Sequence, residues 1–518
     1  MSFMGKLERT ADRKYNMSVT ENGAIGHRTT GSKLLDMNFK LSSYRNVGDA
    51  EIINDFREAF REDPVTAMKW LFYVRDIREG QGERRFFRTV IMNLCSNGFD
   101  RSSMESLISL VPEYGRWDDL WCLLETSFRY SVVNLVEKTL VDDMKNCNAK
   151  KSVSLLAKWM PSENTSSKTT RRYAQILRAG LQINNKCYRR ILSKLRSYID
   201  VTEVKMSGNR WQEIDYESVP SRANLIYKDA FMRHDAIRRV DYLDALSKGK
   251  AKINSSVLYP HDIVHKYNVT RYGDYTVDDS LEEMWKNLPN LVNGNDSTIV
   301  VADGSGSMCA RVGNTMVNAL EVANSLAIYF AERCNGEFKN KYITFSEHPR
   351  IVNVGSSTLK SKISTALHYN ECANTNIEAV FDLILDTAVR NHMNQDDIPH
   401  NILIISDMEF DSCTESNSGF GYDYYNRRRK GVDSSLFENI AEKYERYGYK
   451  IPRLIFWNVC SRTNTIPMKE NDLGVTLVSG FSVNTMKMVM SNKTDPYEAL
   501  MDILNSDRYD PIGKAMSK

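Results

Sequence analysis

At 518 residues, with 42% hydrophobic and 26% charged side chains, the chain has enough apolar mass for more than one buried core and no fibrous or disordered bias. It has no run of 18 apolar residues, which excludes a membrane-spanning helix, and its first residues, MSFMGKLERTADRKYN, lack the apolar stretch of a secretory signal. The net charge of +3 conceals an asymmetry: residues 1–290 hold 46 Lys and Arg against 38 Asp and Glu, and the remainder 23 against 28.

Residues 1–45 are polar, glycine-dotted and weakly periodic, which predicts an extended or partly disordered N-terminal arm. From 46 to 290 apolar residues recur at three- and four-residue steps, as in AEIINDFREAF, DPVTAMKWLFYVRDI, ERRFFRTVIMNLCSN, SMESLISLVPEY and DDLWCLLETSF. Asp63-Pro64 reads as a helix cap followed by proline in the first turn. SVVNLVEKTLVDDM, KSVSLLAKWM, RRYAQILRAGL, NKCYRRILSKLRSYI and ANLIYKDAFMRHDAIRRVDYLDALS continue the series, predicting an all-α, HEAT-like helical-repeat domain.

Near residue 290 the pattern changes. STIVVAD, NKYITFS, RIVNV, HNILIISDMEF, PRLIFWNVC and GVTLVSGF are apolar runs of strand length, separated by helical stretches. Such strands predict a doubly wound, mostly parallel sheet over 291–518, covered on both faces, with ligands bound beyond the carboxyl ends of the strands. The fold class is therefore α + α/β.

Asp303, Ser305 and Ser307 lie just past the first of these strands, in ADGSGSM, and Asp407 just past another. Thr375 stands in a polar loop before a helix. Two carboxylates and three hydroxyls on one sheet edge form an all-oxygen donor set suited to Mg²⁺ or Mn²⁺. Asp411 is a candidate for an outer position.

Other features read as structural. Trp117, Asp118 and Asp119 in GRWDDLW predict a capped helix with buried tryptophans. Arg75, Arg78 and Glu83 in VRDIREGQGER predict a buried ion-pair network. His261 and His265 have metal-ligand spacing but lack the glutamate of HExxH, and EGQGER lacks the Lys-Ser/Thr of a P-loop. Nine cysteines without a CxxC pair predict core thiols in a reducing cytoplasm. Residues 151–200 carry eleven basic side chains against two acidic. Arg171, Arg172, Arg178, Lys186, Arg189, Arg190, Lys194 and Arg196 form a candidate phosphate-binding strip, with Tyr173 and Tyr188 as stacking platforms for RNA.

The segment 297–510 resembles a von Willebrand factor A domain with a metal-ion-dependent adhesion site. By that motif match the resemblance implies that Asp303, Ser305, Ser307, Thr375 and Asp407 hold the ion. VRDIREGQGER and PEYGRWDDLW resemble TROVE modules. Together with KWMPSEN, YRRILSKLR, VPSRANLIYKDAFMRHD, SDMEFD, IPRLIFWNV and VSGFS, they resemble a two-domain family of unknown function found in viruses, phages, fungi and plants. The architecture is similar to that of Ro autoantigens, whose helical repeats form an RNA-binding ring closed by the A domain. The resemblance implies a non-enzymatic ribonucleoprotein component of the cytoplasm that binds small structured or single-stranded RNA. The alternative is a protein-interaction scaffold in which a partner's carboxylate completes the metal shell. Metal-dependent hydrolysis would need a second ion or a general base beside the first.

Overall fold

The computed structural model describes residues 4, 7, 11, 14–269, 276–292, 297–356, 358–412, 435–489 and 493–517. The chain divides into two compact units. A helical unit comprises residues 49–258, 279–287 and 504–518, and a sheet unit comprises 1–48, 259–278 and 288–503.

The helical unit opens with helices Asp49–Glu62, Pro64–Arg75, Arg84–Ser96 and Arg101–Tyr114. Asp63 begins the second of these as its sequence predicts: its carboxylate accepts from the amides of Val65 and Thr66, and Pro64 needs no partner for a missing N–H. The apolar spacing of Arg84–Ser96 turns Phe86, Phe87, Val90 and Ile91 inward. There Phe86 meets Trp70 edge-to-face at 5.2 Å, and Phe87 meets Phe72 at 5.4 Å. Further helices Arg129–Asn148, Lys168–Gly180, Asn185–Tyr198, Ser221–His234 and Ala236–Ser247 follow.

Two readings change here. DDLWCLLETSF forms two short 3-10 turns, Trp117–Asp119 and Trp121–Glu125, and KSVSLLAKWM yields only the single turn Leu156–Trp159. Asp119 does cap the first of these turns, accepting from the Arg116 amide at 2.9 Å, and Trp117 and Trp121 are buried as expected, but the acid is not solvated. It is fully buried 2.6 Å from the Arg75 guanidinium, and its other oxygen takes the Arg88 Nε at 2.8 Å. The ion pair thus joins the two motifs VRDIREGQGER and GRWDDLW. Arg78 instead stays exposed beside Glu113.

In the sheet unit, short strands β1 (Met17–Val19) and β2 (Ile25–His27) pair as an antiparallel hairpin. The large sheet consists of β3 (Thr298–Asp303), β4 (Lys341–Phe345), β5 (Arg350–Asn353), β6 (Asn401–Ser406), β7 (Arg453–Asn458) and β8 (Val475–Ser479). Their order is β5-β4-β3-β6-β7-β8, with only the edge strand β5 antiparallel. Alternate side chains such as Val301, Ile404 and Phe456 face Phe381 of helix Glu378–Arg390 and Phe437 of helix Leu436–Arg446 in one core. Helix Ala319–Arg333 packs against β3, β4 and β6. Each large apolar side chain so buried contributes about 1.5–3 kcal/mol relative to exposure.

The extended or partly disordered arm expected over 1–45 is, over residues 14–45, ordered and folded into the sheet unit as two strands and a helix, while most of 1–13 lies outside the described residues. Several of its polar residues bond to the rest of the sheet unit. The Thr20 hydroxyl donates to the Phe410 carbonyl at 2.6 Å, and β2 pairs through His27 with Ile466. Helix Lys33–Phe39, capped by Ser32, then buries Leu34, Leu35, Met37 and Phe39 and packs against β8. Weak apolar periodicity over so short a stretch conceals this arrangement.

Candidate cation centre

Strands β3 and β6 are hydrogen-bonded neighbours, yet β4 lies beyond β3 on one side and β7 beyond β6 on the other. This is the point where the strand order reverses, and the connecting loops diverge to leave a crevice. Asp303 ends β3 and Asp407 follows β6, so both acids stand at its mouth.

The alternating glycines and serines of ADGSGSM have separate tasks. A Cβ on Gly304 would lie 2.9 Å from the Thr344 hydroxyl, and one on Gly306 3.1 Å from the Cys372 carbonyl oxygen. The loop is therefore pressed against its neighbours at each glycine. Backbone bonds from Gly304 N to Phe345 O, Cys372 N to Gly304 O and Gly306 N to Ala373 O fix it there. The intervening serines turn to the crevice, with their hydroxyl oxygens 3.0 Å apart.

Asp303 is 1% exposed. One of its oxygens accepts from Ser305 N at 2.9 Å and the other from the Ser406 hydroxyl at 2.5 Å. Asp407 is equally buried and takes a hydrogen bond from Ser307. Burial raises the pKa of both acids against these hydrogen bonds, and the Asp303 carboxylate raises that of Asp407 further. The turn after Asp407 puts Met408 at φ +63, a left-handed conformation that costs a residue with a Cβ on the order of 1 kcal/mol or more.

Thr375 is 1% exposed and is held from two sides. Its amide donates to the Asp411 carboxylate at 2.9 Å, and the Asp411 amide returns a bond to the Thr375 carbonyl. Its hydroxyl accepts from the side-chain amide of Asn22 at 3.1 Å. Asp411 thus orients Thr375 from behind. Asp303, Ser305, Ser307 and Asp407 are linked by hydrogen bonds, and the Thr375 loop is bonded to the serine loop through Gly306 N and Ala373 O.

Three participants carried no local signal. Asn22, in the turn of the N-terminal hairpin, also donates to the Glu409 carbonyl at 2.7 Å. Glu409 is fully buried, and its carboxylate gathers the amides of Glu21, Arg462 and Thr463 with the hydroxyls of Ser461 and Thr463. It thereby ties the hairpin to the loops after β6 and β7. Arg462 approaches Asp407 at 3.4 Å and Glu21 at 2.8 Å.

Other candidates resolve differently. His261 stacks on Tyr259, and His265 contacts Glu321 at 3.0 Å. Among the described residues no cluster of three or more His, Cys, Asp or Glu side chains is poised to hold a metal. Of the basic strip, Arg171, Lys186, Arg189 and Arg190 are exposed on helices Lys168–Gly180 and Asn185–Tyr198. Lys194 contacts Asn148, Arg172 pairs with Glu125 and Arg178 with Glu163. Arg196 is half-buried and donates to the carbonyls of Ala157 and Met160. Tyr188 is a correction: it is 1% exposed and donates to the Pro161 carbonyl, so no base can stack on it. Tyr173 is half-buried.

Residues 20–98 and 126–291 match the family described as "Domain of unknown function (DUF2828)". Residues 297–510 match a second, "Domain of unknown function (DUF7788)". The chain is also similar to "Uncharacterized protein L728" of Acanthamoeba polyphaga mimivirus, 29% identical over 533 residues, spanning 96% of this chain and 89% of that protein.

Proposed function

Taking the chain as a protein with a DUF2828 domain, we propose that it is a non-enzymatic binding protein whose sheet unit holds one Mg²⁺ or Mn²⁺ at Asp303, Ser305, Ser307, Thr375 and Asp407. One observation carries the reading: two buried carboxylates, each pushed toward protonation, sit with three hydroxyls at the reversal point of a parallel sheet. The residues fit such an ion. The donors are all oxygen, the hydroxyls are neutral, and a divalent cation relieves the repulsion between the two acids. Strand order and the DxSxS loop support assigning 297–510 to the von Willebrand A type with an adhesion site. Bound there, the ion would supply an electrophilic position for a carboxylate of a protein partner, while Asp303 and Asp407 hold the ion's charge and the serines leave it undiminished.

The test uses Mn²⁺, whose exchangeable water raises water-proton relaxation. Enhancement on adding the protein, lowered again by saturating acetate, is the expected result. No enhancement, or enhancement that acetate does not move, counts against the reading.

A second reading, RNA binding by a TROVE-like helical-repeat unit, rests on a different observation. Arg171, Lys186, Arg189 and Arg190 stand exposed on two successive helices with no ion-pair partner among the described residues. A solvated basic face of this kind favours contact with phosphates. Arg196 and Arg178, spent on the Ala157–Glu163 loop, position that face rather than extend it.

A further inference from the structure

Of the eight described cysteines, all free, Cys95, Cys147, Cys334 and Cys460 are buried and Cys122 and Cys187 half-buried, as core thiols should be. Cys309 and Cys372 alone among them are exposed, and their sulfurs lie 3.9 Å apart. Sixty-three positions separate them in the chain. The first closes the 3-10 turn that follows Ser305, and the second lies three residues before Thr375. Their backbones are already registered: Cys372 N donates to Gly304 O at 3.0 Å and Gly306 N to Ala373 O at 3.1 Å. Cys372 is held at φ +51, a conformation unusual for a residue with a Cβ, and the hydrogen bond to Gly304 maintains it. Two solvent-facing thiols on adjoining, hydrogen-bonded loops, their sulfurs 3.9 Å apart, stand close enough for a disulfide of about 2.05 Å to need only a local approach.

We propose that Cys309 and Cys372 are a reversible dithiol–disulfide site that crosslinks the Ser305/Ser307 loop to the Thr375 loop. Thiol–disulfide exchange with a small-molecule disulfide such as oxidised glutathione suffices. One thiolate attacks a glutathione sulfur, forming a mixed disulfide and releasing one glutathione thiolate. The second thiolate then displaces the other glutathione. The protein gives up two electrons and two protons, and the oxidised glutathione takes them as two thiols. Excess reduced glutathione reverses both steps. The bond closes loops that hydrogen bonds already hold together, so it pre-organises the hydroxyl donors. On the cation reading, which this consequence rests on, the oxidised protein binds Mg²⁺ more tightly.

The full chain, equilibrated with glutathione buffers from fully reducing to fully oxidising, is alkylated and peptide-mapped without any divalent cation. The expected map contains a Cys309–Cys372 linkage that appears and disappears with the buffer and is lost in Cys309→Ser, where Cys372 carries glutathione instead. Absence of the linkage under oxidising buffer, glutathione adducts alone on the wild type, or either thiol joined to another cysteine of the chain would overturn the proposal. Both residues are exposed, so the variant is expected to keep the wild-type circular dichroism and melting curve. Mg²⁺ titration of the two redox forms is a separate arm, and an affinity gain of about fivefold on oxidation is expected. Equal affinity in both forms refutes the coupling, whereas no Mg²⁺ binding in either form refutes the cation reading and leaves the mapped linkage intact.

Discussion

The side-chain amide of Asn22 donates to the hydroxyl of Thr375 at 3.1 Å, across 353 positions of sequence. The same amide reaches the Glu409 carbonyl at 2.7 Å, so one N-terminal residue fixes a donor of the candidate site and the turn behind it. A hydroxyl has two lone pairs and one proton, so accepting from Asn22 leaves the other pair free for a cation.

Replacing Asn22 by Ala removes both bonds while leaving the hairpin's backbone pairing intact. Removing a hydrogen bond to a buried acceptor costs about 1 kcal/mol. Amide exchange at residues 17–27 is therefore expected to accelerate by one to two orders of magnitude, read by hydrogen–deuterium exchange, and Mg²⁺ affinity to fall a few-fold. Unchanged exchange would show that the hairpin is held by other means.

Arg462 contacts Asp407 at 3.4 Å and keeps a positive charge beside the proposed ion. Removing it in Arg462→Ala leaves Asp407 without that competitor. Mg²⁺ binding is expected to tighten by roughly three- to tenfold, since 1.4 kcal/mol is a factor of ten. Weakened binding in calorimetry would mean that Arg462 supports the site rather than competing with it.

In the helical unit, Asp119 is the fully buried counter-ion of Arg75 and Arg88. Asp119→Asn leaves two guanidiniums undercompensated, and breaking a buried pair in this way costs about 3–5 kcal/mol. The midpoint of denaturant unfolding should drop accordingly. Burial by itself raises the Asp119 pKa, but the two arginines outweigh it and the net shift is downward. A carboxylate depressed in the folded state contributes stability that is present above its unfolded pKa of about 4 and lost as pH falls through the lower folded value. The stability gap between wild type and Asp119→Asn is therefore expected to narrow below pH 4 and to be flat from pH 5 to 8.

For the exposed basic face, reversing Arg171, Arg189 and Arg190 to Glu is expected to abolish binding of single-stranded RNA and lower the salt slope. Each phosphate left without its cationic partner takes about 0.7 off that slope. Equal binding by wild type and variant across the salt series would remove RNA from this face.

Much of the sheet unit is written locally. Strands such as NILIIS are continuously apolar because both faces of β6 are covered, and the acid following each central strand marks the crevice. Asp303, Ser305, Ser307, Thr375 and Asp407 could be picked out because strand ends and loop hydroxyls are short-range signals. Glu409 and Arg462 could not. Glu409 looks like a solvent-facing acid of a loop, and only the arrival of residues 461–463 and of Glu21 buries it. The same holds for Thr20, Asn22 and Ser18, whose side chains bond to Phe410, Thr375 and Thr465, 390, 353 and 447 positions away. Trp117–Glu125 reads as a helix because its apolar spacing is helical, but it forms two 3-10 turns, and the Asp119 carboxylate in the first is bonded to Arg75 and to the Arg116 amide, partners its own spacing does not reveal.

The most direct test is calorimetric titration of Mg²⁺ into the full chain and into Asp303→Asn. Asn is close to the protonated state that burial already favours at Asp303, so the variant should keep its fold. The cation reading predicts one saturable Mg²⁺ site in the wild type and none in Asp303→Asn at the same melting temperature. Equal binding in both, or none in the wild type, would contradict it.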